Sequence, residues 1–122
     1  MGIEAISRGA SSGLFIDESQ KTTNLLKSNI ENLDLTDSAS VVKMDVLRIK
    51  ASYFEKISII FADPPYRKGY CDKLLSLLSL PKFGWHGIII VEHESQWVAD
   101  GDKYDCINRL QYGDTAVSFI VL

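Results

Sequence analysis

The sequence predicts a single α/β domain, residues 1–122, built on a mostly parallel sheet with an antiparallel hairpin at its C-terminal end. Four short apolar runs each lead to a carboxylate, and helical patterns separate them, which is typical of parallel strands joined by helices. The last part of the chain instead flanks the turn-forming pair Gly113-Asp114, which is a β-hairpin signal. A chain of 122 residues is long enough to bury one hydrophobic core.

The first half of the chain alternates helical and strand-like patterns. Leu25, Leu26 and Ile30 recur at helical spacing behind Ser19, a residue type that caps helix N-termini. Gly9 is placed to stop the preceding helix. The predicted elements here are a helix over Met1–Arg8, a strand over Gly13–Ile16 closing on Asp17, a helix over Gln20–Leu33, a polar stretch over Asp34–Ser40, a strand at Val41-Val42 reaching Asp45, and a short helix over Val46–Tyr53.

The second half begins with four consecutive apolar residues, Ile59–Ala62, which predict a strand buried on both faces. A leucine-rich helix and another apolar strand follow, and the pattern then changes to that of a hairpin. The predicted elements here are the strand over Ile59–Ala62 into Asp63, a helix around Leu74–Leu78, a loop over Pro81–Gly87, a strand over Ile88–Val91 ending at Glu92, and hairpin arms over Tyr104–Tyr112 and Thr115–Leu122.

Composition and charge exclude several classes of function. A net charge of −3 excludes broad electrostatic wrapping of nucleic acid and leaves room for a local basic patch. No apolar run is as long as a membrane span and the N-terminus has no signal-peptide pattern, so we expect a cytoplasmic protein without a membrane partner. Cys71 and Cys106 are expected to be buried free thiols. Neither has metal-ligand spacing with the two histidines, so no metal site is expected.

An acidic residue follows each of the first four predicted strands. In open parallel sheets, ligands bind outside the carboxyl ends of the strands. Asp17 is placed to hold a ribose diol, as acids at such strand ends commonly do in nucleotide-binding units. Asp45 is a candidate acceptor for an adenine amino group, and Glu92 is expected to be a structural acid near the rim. The fourth acid is Asp63.

The turn after the third strand, within IIFADPPYRKGY, is stiffer than the end of a strand requires. Each proline fixes its own φ and pushes the residue before it towards an extended conformation. The carbonyls of Asp63 and Pro64 are therefore held in place, and neither proline has an amide donor to compete with them. Rigid acceptors beside a carboxylate and the Tyr66 ring suit a flat ligand that carries N–H groups.

Several segments occur in the order and rough spacing of one bacterial family; they are GIEAISRGA, GLFIDES, Asn29 in the following helix, FADPPYRKGY, IIIVEH and YGDTAVSF. Over essentially its whole length the chain resembles the methyltransferases that modify a guanine exocyclic amine in small-subunit ribosomal RNA. The resemblance implies a Rossmann-like methyltransferase fold, S-adenosylmethionine as cofactor and ribosomal RNA as partner. The Asp-Pro-Pro-Tyr motif alone is shared with many amino-group methyltransferases, including those that act on adenine and cytosine.

The resemblance also implies which residues hold the cofactor. Asp17 matches the acid that binds the cofactor ribose, and Asp45 falls where the family contacts the adenine end. The family often has a second acid two positions after the first, and this chain has Ser19 there.

The catalytic motif of the family matches Asp63, Pro64, Pro65 and Tyr66. On this basis the Asp63 carboxylate and the Pro64 carbonyl accept the two N–H bonds of the amine and aim its lone pair at the methyl group. The Tyr66 ring stacks on the extruded base. Arg67 and Lys68 are candidates for holding RNA phosphates, and a solvated helix start is an equal alternative for them.

The beginning of the chain departs from the family pattern. In the family, GIEAISRGA is preceded by a strand and a Gly-rich turn around the methionine end of the cofactor, and these 122 residues contain no such turn. We therefore expect an N-terminally truncated domain without its first strand, which would lie between the strands ending at Asp17 and Asp63. Such a domain should bind S-adenosylmethionine very weakly or not at all, and self-associate through exposed strand edges.

Three functions stay open from the sequence. The first is methyl transfer to guanine in ribosomal RNA, and the second is methyl transfer to adenine or cytosine of DNA by the same fold. The third is a non-catalytic remnant or interaction module. A dehydrogenase is disfavoured, because no dinucleotide fingerprint is found in the chain.

Overall fold

The computed structural model describes residues 2–66 and 69–122, and it confirms the alternation of helices and strands. The backbone divides into two compact units, Met1–Ile49 and Lys50–Leu122. Two of the predicted site residues, Arg67 and Lys68, lie outside the described residues. In the described ranges, no helix is both long and apolar enough to cross a membrane.

The first unit contains a pair of parallel strands and two helices. Its elements are α1 (Gly2–Ser7), β1 (Gly13–Asp17), α2 (Gln20–Asn32) and β2 (Ala39–Lys43). Strands β1 and β2 pair in parallel, from Gly13 opposite Ala39 to Asp17 opposite Lys43. Both strands therefore end at the same edge of this two-stranded sheet.

Capping residues set both ends of helix α2. The Ser19 hydroxyl accepts a hydrogen bond from the Thr22 amide at 3.2 Å, which satisfies one of the free amides at the helix start. Thr23 and Ile30 form its buried side. The predicted end at Leu33 is one residue late, since Leu33 is the C-cap and Asp34 follows with a φ of 57°.

Two other boundaries in this region differ from the prediction. Strand β2 spans Ala39–Lys43 rather than two valines, because pairing with β1 recruits neighbours that lack strand propensity of their own. The short helix predicted over Val46–Tyr53 is wrong. Two 3₁₀ turns, Val46–Arg48 and Ala51–Phe54, replace it, since the backbone between them is extended at Ile49 and Lys50.

The second unit is a four-stranded mixed sheet with one α-helix. Its elements are β3 (Ile59–Ala62), α3 (Tyr70–Leu78), β4 (Ile88–Glu94), β5 (Asp105–Tyr112) and β6 (Thr115–Val121). The strand order is β3-β4-β6-β5, with β3 parallel to β4 and β6 antiparallel to both of its neighbours. The predicted hairpin is confirmed, and Gly113 adopts the positive φ of 61° that its two-residue turn requires.

The core of the second unit lies on one face of this sheet. Alternate residues of β4 and β6 are buried, which is the pattern of a strand covered on one side. The buried core of this unit consists of Phe54, Leu74, Leu75, Leu78, Phe83, Trp85, Ile89, Val91, Ala116 and Ile120. Trp85 is also fixed by a 2.7 Å hydrogen bond from its indole nitrogen to the Ile57 carbonyl.

The prediction that β3 is buried on both faces is wrong. Ile59 is 60% exposed and Phe61 is 37% exposed, while Ile60 and Ala62 are half-buried. An apolar run does not reveal which face another layer covers, and β3 is an end strand of its sheet. Strand β4 also continues two residues past Glu92, to Glu94.

The outer edges of β1 and β3 take part in no sheet within the described ranges. Strand β1 pairs with β2 alone, and β3 pairs with β4 alone. Each strand therefore has one row of backbone groups without a ladder partner.

Candidate active site

The carboxylate of Asp17 ends β1 and is oriented by its own chain. Its Oδ1 accepts a hydrogen bond from the Ser19 amide at 2.8 Å, and the side chain is half-buried. Ser19 also caps α2 through its hydroxyl. Ser19, which replaces the family's second acid, therefore orients the Asp17 carboxylate through its backbone amide.

The carboxylate of Asp45 has an equivalent arrangement two residues after β2. Its Oδ1 accepts from the Leu47 amide at 3.0 Å and caps the 3₁₀ turn that follows. The Met44 amide donates to the Asp17 carbonyl at 3.0 Å, which carries the β1–β2 pairing past the end of the strands. The structure therefore brings Asp17 and Asp45 to the same edge of the first unit.

These two acids fit the nucleoside part of a cofactor. In each case the backbone amide occupies one oxygen, and the other oxygen has no partner among the described residues. An ionised carboxylate only accepts hydrogen bonds, and ribose hydroxyls and an adenine amino group can only be bound there as donors. The pair can therefore accept hydrogen bonds from the ribose and adenine donors of a nucleoside, the part that S-adenosylmethionine would present.

The Asp63–Tyr66 motif leaves the carboxyl end of β3 in the second unit. Ala62 lies opposite Val91, so the motif begins where β4 continues into Glu92. Asp63 is exposed, and none of the described residues donates a hydrogen bond to its carboxylate. Pro64 is buried, which anchors the backbone next to that free carboxylate. The arrangement is a fixed turn with an unsatisfied acceptor at its start.

Tyr66 is tied to a distant part of the same unit. Its ring is 50% exposed, and its hydroxyl lies 3.2 Å from the Thr115 hydroxyl at the start of β6. Thr115 was not among the predicted site residues, because 49 residues separate it from Tyr66 and nothing local marks the pair.

The buried side chain of His93 connects several elements of the second unit. His93 is 1% exposed, with Nδ1 2.7 Å from the Glu94 carbonyl and Nε2 2.8 Å from the Ser118 hydroxyl. Because a carbonyl only accepts, the Nδ1 atom carries a proton and donates to Glu94, and Nε2 shares a hydrogen bond with the Ser118 hydroxyl. The Trp97 ring packs edge-on against the His93 ring, with 4.6 Å between the ring centroids. The Trp97 indole nitrogen donates a hydrogen bond to the Asp72 carboxylate at 3.2 Å. This network ties β4 and β6 to the first turn of α3.

Cys71, in the first turn of α3, is not a thiolate nucleophile. Burial, together with smaller contributions from the nearby carboxylates of Asp72 and Glu94, raises its pKa to about 11. A thiol with that pKa is protonated at neutral pH. The prediction of two buried thiols is wrong for Cys106, which is exposed, while Cys71 is half-buried. Across residues 2–66 and 69–122, no group of three or more candidate ligands could hold a metal ion.

Comparison with known sequences gives a match over nearly the whole chain. The model of the family described as Conserved hypothetical protein 95 matches residues 1–121. The protein named "Putative rRNA methyltransferase YlbH" of Bacillus subtilis is 34% identical over 100 residues, covering 79% of this chain and 54% of that protein. Ribosomal RNA small subunit methyltransferase D of Escherichia coli K12 is 30% identical over 97 residues, covering 77% of this chain and 48% of that protein. The chain thus spans about half the length of these relatives.

Comparison with solved structures gives the same fold. A "putative methylase" of Haemophilus influenzae superposes with a TM-score of 0.79 at 21% identity, covering 98% of this chain and 78% of that one. The predicted Rossmann-like methyltransferase fold is therefore confirmed.

Proposed function

The chain belongs to the family described as Conserved hypothetical protein 95, and from this we propose that it is an S-adenosylmethionine-dependent methyltransferase acting on ribosomal RNA in the cytoplasm. We further propose that the methyl acceptor is the exocyclic amine of a guanine in the small subunit. The relatives named above are called ribosomal RNA methyltransferases, which supports the substrate class.

The observation that carries this proposal is the turn at Asp63–Tyr66. An exocyclic amine is a poor nucleophile because its lone pair is delocalised into the ring. Two fixed acceptors, one for each N–H, favour a pyramidal nitrogen whose lone pair is free to react. The Asp63 carboxylate, which has no partner in the described chain, and the Pro64 carbonyl are proposed to be those acceptors.

The residues of this chain then contribute positioning and charge stabilisation. When bound, S-adenosylmethionine supplies an electrophilic methyl group on a sulfonium. Asp63 stabilises the positive charge that develops on the amine and is placed to take the departing proton. The exposed face of Tyr66 stacks on the base once it has left the RNA helix. Arg67 and Lys68, which follow directly in the sequence, are proposed to hold adjacent phosphates.

Asp17 and Asp45 are proposed to hold the cofactor. The free oxygen of Asp17 accepts from the ribose hydroxyls, and that of Asp45 accepts from the adenine amino group. Because each carboxylate is already oriented by a backbone amide, little side-chain entropy is lost when the cofactor binds.

The proposal is tested in the bacterium that carries the gene. Asp63→Asn is introduced at the chromosomal locus, and the methylated nucleosides of small-subunit ribosomal RNA and of genomic DNA are measured by mass spectrometry. One amino-methylated guanosine should be lost. Asp102→Asn, the same substitution at an exposed carboxylate in a turn of the second unit, is the matched control and should leave the methylation pattern unchanged.

Other results of this experiment contradict specific parts of the proposal. Loss of a methylated adenine or cytosine, in RNA or in DNA, would overturn the guanine assignment and support the alternative substrates. An unchanged pattern after deletion of the whole gene would overturn the enzymatic proposal and favour a non-catalytic module.

A further inference from the structure

The hydrogen bond between Tyr66 and Thr115 connects the candidate catalytic motif with the C-terminal hairpin. The two hydroxyl oxygens lie 3.2 Å apart, and either one can donate. In the described part of the chain this bond is the only polar contact of Tyr66. The orientation of the ring therefore depends on Thr115.

The Thr115 end of this bond is fixed by the sheet. Thr115 begins β6, which lies between β4 and β5, and it pairs with Glu94 on one side and Tyr112 on the other. Its side chain is half-buried, and the next residue, Ala116, is fully buried. The sheet therefore holds the Thr115 hydroxyl in a fixed position, where it can bond a residue outside the sheet.

The Tyr66 end has no comparable support. Tyr66 lies outside any helix or strand, after the exposed Pro65, and half of its ring is exposed. Without the bond, no polar contact in the described chain restrains its two side-chain torsions, and stacking on a base has to order them. Fixing a side chain in its bound orientation beforehand removes that entropic cost.

We propose that Thr115 is a positioning residue that holds the ring of Tyr66 in the orientation in which it stacks on the target base. The inference rests on the proposed function and adds a residue from the hairpin to the site. The hairpin then contributes to substrate binding although its own residues need not touch the base.

A double-mutant cycle tests the inference, with unmodified small-subunit ribosomal RNA as substrate. Tyr66→Phe and Thr115→Val each remove one end of the bond, and each should lower kcat/KM for RNA by about 2–10-fold, the effect of one partly exposed hydrogen bond. The double variant should be no worse than either single one, because both changes remove the same interaction. Thr115→Ser should retain the wild-type value, since it keeps the hydroxyl.

The background Tyr66→Ala separates positioning from general stability. Loss of the ring should lower kcat/KM by about 5–150-fold, the range for removal of a stacking partner. In that background Thr115→Val should have no further effect on kcat/KM. Thr36→Val, at an exposed threonine in a turn of the first unit, is the control and should behave as wild type in every background.

A second measurement does not depend on activity. Nuclear Overhauser effects between the Tyr66 ring and the Thr115 methyl group should be present in the wild type and lost in Thr115→Val. The inference would be overturned if the losses of kcat/KM from Tyr66→Phe and Thr115→Val multiplied in the double variant. It would also be overturned if Thr115→Val lowered kcat/KM in the Tyr66→Ala background. If the contact is observed but the wild-type protein neither binds nor methylates RNA, the proposed function fails and the stacking role of Tyr66 fails with it.

Discussion

Asp17 and Asp63 are both carboxylates at strand ends, but they differ in how they are held. Asp17 accepts from the Ser19 amide, whereas Asp63 has no partner in the described chain. In a chain that also carries the family's first strand and Gly-rich turn, we therefore expect Asp17→Asn to weaken S-adenosylmethionine binding by about 10–150-fold, the value of a hydrogen bond to a charged group. Asp63→Asn should instead lower kcat by at least about 100-fold and leave cofactor affinity nearly unchanged.

Titration calorimetry and a turnover assay on the same preparations separate these two effects. Asp102→Asn serves again as the control, because its exposed side chain lies in a turn and ends neither of these strands. Near-normal turnover by Asp63→Asn would show that its carboxylate does not act on the amine.

Cys71 provides a prediction about pH. Burial, with smaller contributions from Asp72 and Glu94, raises its pKa from the ordinary 9.0 to about 11, so the folded thiol ionises at higher pH than an unfolded one. The folded state is favoured by this thiol below that lower value, and the contribution is lost as the pH rises through about 11. In a Cys106→Ser variant, the rate of alkylation by iodoacetamide should keep rising up to about pH 11. A rate that levels off near pH 9 would contradict the assigned cause.

Gly87 immediately precedes β4, and the Ser58 carbonyl and the Trp85 ring approach its backbone closely. A Cβ atom there would lie 2.5 Å from the Ser58 carbonyl oxygen and 2.6 Å from the Trp85 ring. The Gly87 backbone also exchanges two hydrogen bonds with Leu122, at 3.2 and 3.0 Å, so it cannot shift freely. We expect Gly87→Ala to lower the free energy of unfolding by about 1–3 kcal/mol, as overpacking does.

Urea denaturation measures this effect, and Gly101→Ala is the matched control. Gly101 has no heavy atom within 4 Å of an added Cβ and does not need a positive φ. An equal loss of stability in the two variants would show that the groups around Gly87 move aside and accommodate the added Cβ atom.

The elements that could be predicted are those with local signals. The hairpin was predicted from Gly113-Asp114, and α2 from its capping serine and apolar spacing, because both signals lie within a few residues. The length of β2 and the exposure of β3 could not be predicted, since they depend on which distant strand or layer lies alongside. The Tyr66–Thr115 contact was unpredictable for the same reason.

The free edge of β3 makes self-association a prediction for the whole chain. Ile59–Ala62 contains no charge and no bulge, and Ile59 and Phe61 are exposed. The opposite edge, β5, has a register irregularity between Cys106 and Asn108 and carries charged residues, which are features that protect edges. Sedimentation velocity should therefore show species heavier than the monomer, formed through β3.

Phe61→Lys tests this assignment, since a lysine on an edge strand opposes pairing. It should shift the chain towards monomer, whereas Ile107→Lys, at a 55% exposed position on β5, should not. If the wild-type chain is monomeric at all concentrations, the prediction of self-association through strand edges is wrong.

The position of β6 has a consequence for synthesis on the ribosome. β6 is the last of the described strands to be made, yet it lies between β4 and β5. At roughly 5–20 residues per second, β4 waits for seconds with one edge open before its antiparallel neighbour exists. During that interval the nascent chain presents a ready template to chaperones or to other nascent chains on the same messenger. A stop codon before Thr115 would therefore leave both β4 and β5 without the strand that joins them.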